Sequence, residues 1–183
     1  VNEMSAAAKE EVAFHEAGHA VAALAFDAES VGLISVRPSK SDARGVVQIF
    51  KSENYFGSYE RMRERVVALL AGKAAVELKY GRLDVGAGSD IVRASAIVQR
   101  FITDYAASGF ALFHPDNHFN VTSELHDDKI VTERSAMLAR CYEEAKEVLR
   151  KNWAFVERVA AALVERDTLV FEEIAELRRK ITA

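Results

Sequence analysis

Residues 5–26 read SAAAKEEVAFHEAGHAVAALAF, and the five residues His15-Glu16-Ala17-Gly18-His19 inside them are an instance of H-E-x-x-H. Alanine-rich flanks on both sides predict one continuous helix, with Ser5 as its N-cap. On a helix, positions i and i+4 share a face, so His15 and His19 point the same way. Two imidazoles so placed reach a single Zn²⁺ at about 2.0–2.1 Å. Glu16 lies about 100° around the helix from His15. That is a poor position for a third ligand and a good one for a base acting on water beside the ion. A zinc ion, water and a carboxylate together make amide hydrolysis the expected chemistry. The plain alternative is two histidines on a polar helix face with a solvated glutamate. Gly18, inside the helix at a cost of about 1 kcal/mol relative to alanine, predicts close approach of another backbone or of substrate.

Composition narrows the class. The chain has 183 residues, half of them hydrophobic and 28% charged, which fits one globular domain with a real core. A net charge of −4 gives no sign of a nucleic-acid partner. Cys141 is the sole cysteine, so an internal disulfide is excluded, and its helical setting reads as packing rather than nucleophilic chemistry. No apolar run approaches the ~20 residues that span a bilayer, and no signal peptide is visible. The expected location is therefore cytoplasmic for the chain as given. It would be membrane-associated if the chain, which starts at Val1, is a piece of a longer protein.

Beyond the first helix, Val31–Arg37 and Gly45–Phe50 are rich in β-branched residues and read as a hairpin. Gly45, Val46, Val47 and Gln48 are candidates to pair with an extended peptide at the strand edge; simple structural cover is the alternative. Helices are expected from Tyr59 to about Lys79, ending at Gly81, and from about Asp90 to Ala106. Further helices are expected from Thr132 (as N-cap) to Lys151, from Asn152 to Arg166, and from Val170 to Lys180. Residues 107–130 show no sustained period and read as irregular; His114, His118 and His126 within them read as surface histidines. The expected fold is thus mainly α, multi-helical and zincin-like, with a small β-hairpin. It is a single domain over residues 1–183: a metal-site part (1–106), an irregular segment (107–130) and C-terminal helices (131–183). No G-x-x-x-x-G-K-[ST] occurs, so no P-loop is present in the sequence.

A catalytic zinc usually takes three protein ligands. Two carboxylates compete for the third position. Asp90 follows Gly86-Ala87-Gly88-Ser89, a turn flexible enough to bring a short side chain to a metal, although a helix N-cap is its ordinary reading. Glu77, late in a helix and on the side of Leu70 and Ala74, is the other. As an inward carboxylate it would also suit the free ring N–H of a metal-bound histidine.

Five stretches, in order, resemble the protease domain of the FtsH family, the AAA+ ATP-dependent zinc metalloproteases. They are His15–His19 with Lys9–Phe14 before it, Ile34–Pro38 followed by Gly45, and Ala71–Gly81 against G-R-A-A-E-E-x-x-x-G. The others are Gly86–Ile91 with Ala94 against G-A-x-N-D-L-x-x-A, and Asp167-Thr168-Leu169 with Glu173-Ile174. The chain departs from the pattern at Val76, where the family has the first Glu, and at Ala106, where it usually has Gly. The resemblance implies Asp90 as third ligand, Glu16 as base, polypeptide substrates, and a mainly helical hexamer. It also implies an AAA+ ATPase, in the same chain or as a partner. The rival expectation is a non-catalytic zinc scaffold attached to such an ATPase.

Overall fold

A computed structural model describes residues 4–37, 45–49, 58–84, 86–103 and 124–182. The elements in order are α1 (Ala6–Phe26), β1 (Val31–Ser35), β2 (Val46–Ile49), α2 (Tyr59–Tyr80), α3 (Gly88–Thr103), α4 (Glu124–Lys151), α5 (Trp153–Arg166), β3 (Thr168–Val170) and α6 (Phe171–Thr182). The fold is mainly α, as expected.

The central element is α1. Ser5 Oγ accepts the Ala8 N–H at 3.2 Å and caps its start. From Val12 to Leu24 nearly every side chain is buried, on all sides of the helix, and most are small. A helix apolar all round belongs in the interior. It packs against α2, α4, α5, β1 and β2. Gly18 explains the close crossing with α2: a Cβ there would lie 2.5 Å from Ala71 O and 2.7 Å from Ala75 Cβ. The expected close backbone approach is therefore α2 itself. Ser58 caps α2, accepting from Arg61 N at 3.3 Å, and Gly81 ends it in the left-handed region at φ 65°.

The sheet has strand order β2-β1-β3, all antiparallel. Ile34 pairs with Val47 on one side and Leu169 on the other, and Ser35 pairs with Val46 and Thr168. The hairpin was expected; β3 was not. It forms because Leu33–Ser35 offer a second edge, reinforced by the Ser35–Thr168 hydroxyl bond at 2.8 Å. At the end of α5, Asp167 (φ 65°) turns the chain back. Its carbonyl accepts Val36 N–H, and its carboxylate pairs with Lys9 and Arg37.

Two helix starts differ from expectation. Helix α3 begins at Gly88, two residues before Asp90, which puts Asp90 in its first turn. Helix α4 begins at Glu124, so residues 124–130 are helical rather than irregular, and His126 falls in that first stretch. Thr132 is not a cap: its hydroxyl donates back to Asp128 O at 2.9 Å from inside the helix. Ile130, 7% exposed, docks this early part of α4 into the core. Residues 107–123, with His114 and His118, lie outside the described residues, as do residues 104–106. Cys141 is buried, and burial pushes its thiol up to about 11, so it packs rather than reacts.

Candidate metal centre

The two histidines of α1 face the crossing with α2 and the start of α3. His15 Nε2 and His19 Nε2 lie 3.0 Å apart, and each is 3.3 Å from Asp90 Oδ2. His15, His19 and Asp90 form the one metal-capable group among the described residues, their donor atoms all within 4.8 Å of one another. His15, Glu16 and Asp90 are buried and His19 nearly so. Asp90 reaches the site from the first turn of α3, where a carboxylate is favoured by the helix dipole.

The far nitrogens decide what the near ones offer. His19 Nδ1 is 2.8 Å from Ala68 O, and a carbonyl only accepts, so Nδ1 carries the hydrogen. His15 Nδ1 is 2.7 Å from the Asp84 carboxylate, again an acceptor. In the neutral form each ring so held would turn its Nε2 lone pair inward, toward the other ring and Asp90. Such a set is repulsive unless a cation stands among them. Zinc bonds of about 2.0–2.2 Å place tetrahedral donors about 3.3–3.5 Å apart, which the two 3.3 Å separations match and the 3.0 Å one approaches. The donor set of two imidazoles and a carboxylate suits a divalent zinc ion.

Without an ion, a proton is drawn to this point. Burial is the largest single influence on His15 and lowers its pKa. Hydrogen bonds to Asp84 and Asp90, with the charges of Glu16 and Asp84, outweigh burial and raise the pKa to about 9. Burial is also the largest influence on Asp90 and raises its pKa, but its contacts with the His15 and His19 rings and their charges hold it below the usual carboxylate range.

Two glycines make room for the site. A Cβ on Gly72 of α2 would lie 2.4 Å from His19 Nε2 and 2.8 Å from His15 Cε1. A Cβ on Gly45, just before β2, would lie 2.6 Å from Glu16 Oε1 and 2.7 Å from Ser35 O. Gly45 therefore brings the end of β2 directly against the Glu16 carboxylate. Among the described residues β2 pairs only with β1, so there Val46–Gln48 stand on an edge that starts beside Glu16.

Glu77 is elsewhere. Its carboxylate accepts from Tyr142 OH and from Lys73 Nζ at 3.2 Å, and pairs with Lys146 at 3.4 Å. It fastens α2 to α4 and is a third exposed. These bonds from Tyr142 and the lysines lower its pKa despite partial burial. The carboxylate on a histidine N–H is Asp84, which the sequence reading passed over. The available signal was an acidic residue within a turn ending in a ligand-bearing helix.

The model of peptidase family M41 matches residues 2–177 of the chain. The ATP-dependent zinc metalloprotease FtsH 1 of Sorangium cellulosum is 32% identical over 197 aligned residues, covering 97% of this chain and 32% of the relative. The ATP-dependent zinc metalloprotease FtsH of Bacillus subtilis is 29% identical over 182, covering 91% and 28%. That of Magnetococcus marinus is 30% identical over 179, covering 90% and 27%. The chain thus spans about a third or less of the length of these relatives.

Proposed function

The chain belongs to peptidase family M41, and on that premise we propose that it is a zinc-dependent endopeptidase acting on unfolded or extended polypeptides. One observation carries the reading: three metal-capable atoms, His15 Nε2, His19 Nε2 and Asp90 Oδ2, lie within 3.3 Å of one another on the helix that carries Glu16 and at the start of α3, while the other Asp90 oxygen, Oδ1, meets Arg93 at 3.6 Å. Those three residues would hold Zn²⁺. When bound, the ion would supply a Lewis acid, able to polarise a carbonyl and to lower the pKa of water toward neutral.

The chain's own groups do the rest. Asp84 and Ala68 O hold the two rings with their lone pairs inward. Glu16, buried and one residue beyond His15, accepts the proton of the attacking water and returns it to the nitrogen of the departing amine. Gly45, Val46, Val47 and Gln48 offer edge backbone groups to which an extended substrate adds as a strand, which directs its carbonyls past Glu16. This mode favours unfolded chains, because a folded segment has already committed those backbone groups.

The relatives' names describe them as ATP-dependent. By that likeness this chain works with an AAA+ ATPase, in cis or in trans, within a homo-oligomer, a hexamer by family resemblance. No helix of the described residues is long and apolar enough to cross a membrane.

The test is Glu16→Gln. Elemental analysis should give about one zinc per chain in wild type and variant alike. Casein should be cut by wild type and left intact by the variant, because the near-isosteric amide cannot take the proton. A variant that cleaves at the wild-type rate would sink the assignment of Glu16. A wild type that holds zinc and cuts nothing would favour the scaffold reading.

A further inference from the structure

Asp84 sits in the connection between α2 and α3, with its side chain 0% exposed. Its two oxygens do different jobs. Oδ2 accepts from His15 Nδ1 at 2.7 Å, and Oδ1 accepts from the backbone N–H of Gly86 at 2.7 Å. Gly86 is two residues before Gly88, where α3 starts, and Asp90 is in the first turn of that helix. One carboxylate thus touches a ring on α1 and the backbone that delivers the third metal-capable side chain.

Resting on the metalloprotease reading above, we propose that Asp84 is a positioning residue of the metal centre, fixing the tautomer of His15 and the approach of Asp90 together. The argument is one of donors and acceptors. An ionised carboxylate only accepts, and a backbone N–H only donates. His15 Nδ1 and Gly86 N must therefore both be donors to it, which places the hydrogen of neutral His15 on Nδ1 and leaves the Nε2 lone pair facing His19 and Asp90. The Gly86 bond closes a tight turn immediately before α3, so the same side chain sets how near Asp90 comes. The other carboxylate near this end of α2, Glu77, is engaged by Tyr142, Lys73 and Lys146 and does neither job.

Asp84→Asn separates this role from simple filling of space. The amide has nearly the same shape but only one acceptor oxygen. If that oxygen keeps Gly86, the NH₂ group faces His15 Nδ1 and favours the tautomer with hydrogen on Nε2, where the metal should bind. If it keeps His15, the NH₂ group opposes the Gly86 N–H and the turn before Asp90 loosens. In Asp84→Ala, by contrast, water can accept from Nδ1–H.

The experiment measures zinc affinity by chelator competition for wild type, Asp84→Asn, Asp84→Ala and Glu77→Gln, with circular dichroism of each zinc-free protein. Asp84→Asn should bind zinc about 10–100-fold more weakly than wild type, no better than Asp84→Ala, and keep its zinc-free helicity. Glu77→Gln should bind as wild type does. An Asp84→Asn protein with wild-type affinity overturns the proposal. So does one that loses helicity without zinc, which makes Asp84 a scaffold residue, or a Glu77→Gln loss of equal size. Wild-type protein that takes up no zinc fails earlier, and overturns the metalloprotease reading itself along with the proposal.

Discussion

Gly72→Ala adds a single methyl group to the wall of the site. Its carbon would lie 2.4 Å from His19 Nε2, 2.7 Å from His19 Cε1 and 2.8 Å from His15 Cε1. Ordinary non-bonded contacts sit at about 3.5–4.0 Å, so the His19 ring must retreat by about 1 Å. Zinc–ligand distances tolerate about 0.2 Å. The displaced nitrogen cannot stay a ligand while His15 and Asp90 remain in place. Taking the loss as about 100-fold in affinity, the upper end of what disturbing a ligand's support costs, the effect can be read as heat stability. With free zinc at about 1,000 times Kd, wild type gains about 4.1 kcal/mol, and the variant, then at about 10 times its Kd, about 1.4 kcal/mol. For a chain of this size each kcal/mol moves Tm by about 2–4 °C, so zinc should raise Tm by about 8–16 °C in wild type and about 3–6 °C in the variant. The zinc-free variant has no comparable reason to weaken, since alanine is favoured over glycine in a helix interior by about 1 kcal/mol, which offsets some of the crowding. The assay is thermal unfolding followed by circular dichroism, with and without zinc. An equal zinc-induced shift in both proteins would refute the placement of the two rings against Gly72.

Asp90→Ala should lose both zinc uptake and casein cleavage, whereas Glu77→Ala should keep zinc and lose stability, because Glu77 fastens α2 to α4 through Tyr142, Lys73 and Lys146; zinc titration of the two variants decides between them. The apparent zinc affinity should rise with pH: zinc must displace the proton that zinc-free His15 holds up to about 9, so affinity should climb about tenfold per unit between pH 7 and 9 and flatten above. Conversely, a raised pKa means that protonated His15 stabilises the zinc-free fold fully below about 6.5 and that this is lost as pH rises through about 9. Chelator competition and zinc-free melts across pH 6–10 test both, and a flat zinc affinity between pH 7 and 8 would contradict the first.

What the sequence determined by itself is local. H-E-x-x-H in an alanine-rich run specifies a helix with two imidazoles on one face, and Ser5, Ser58 and Gly81 mark helix ends through bonds reaching at most four residues. The β-branched runs gave the hairpin for the same reason, since its pairing is between neighbours in the chain. The tertiary structure decided what depends on elements meeting. Strand β3 is three residues long and exists only because β1 has a free edge more than 130 residues earlier, as the Ser35–Thr168 separation of 133 shows. The start of α4 at Glu124 depends on Ile130 finding the core. Above all, the choice between carboxylates was not local. Glu77 and Asp84 are seven residues apart, yet one reaches Tyr142 on α4 and the other His15 on α1, contacts spanning 65 and 69 residues. Helical spacing says which side of α2 a carboxylate leaves from. Only the crossing of α1 over α2, set by Gly18 against Ala71 and Ala75, says which ring nitrogen stands near enough to take it.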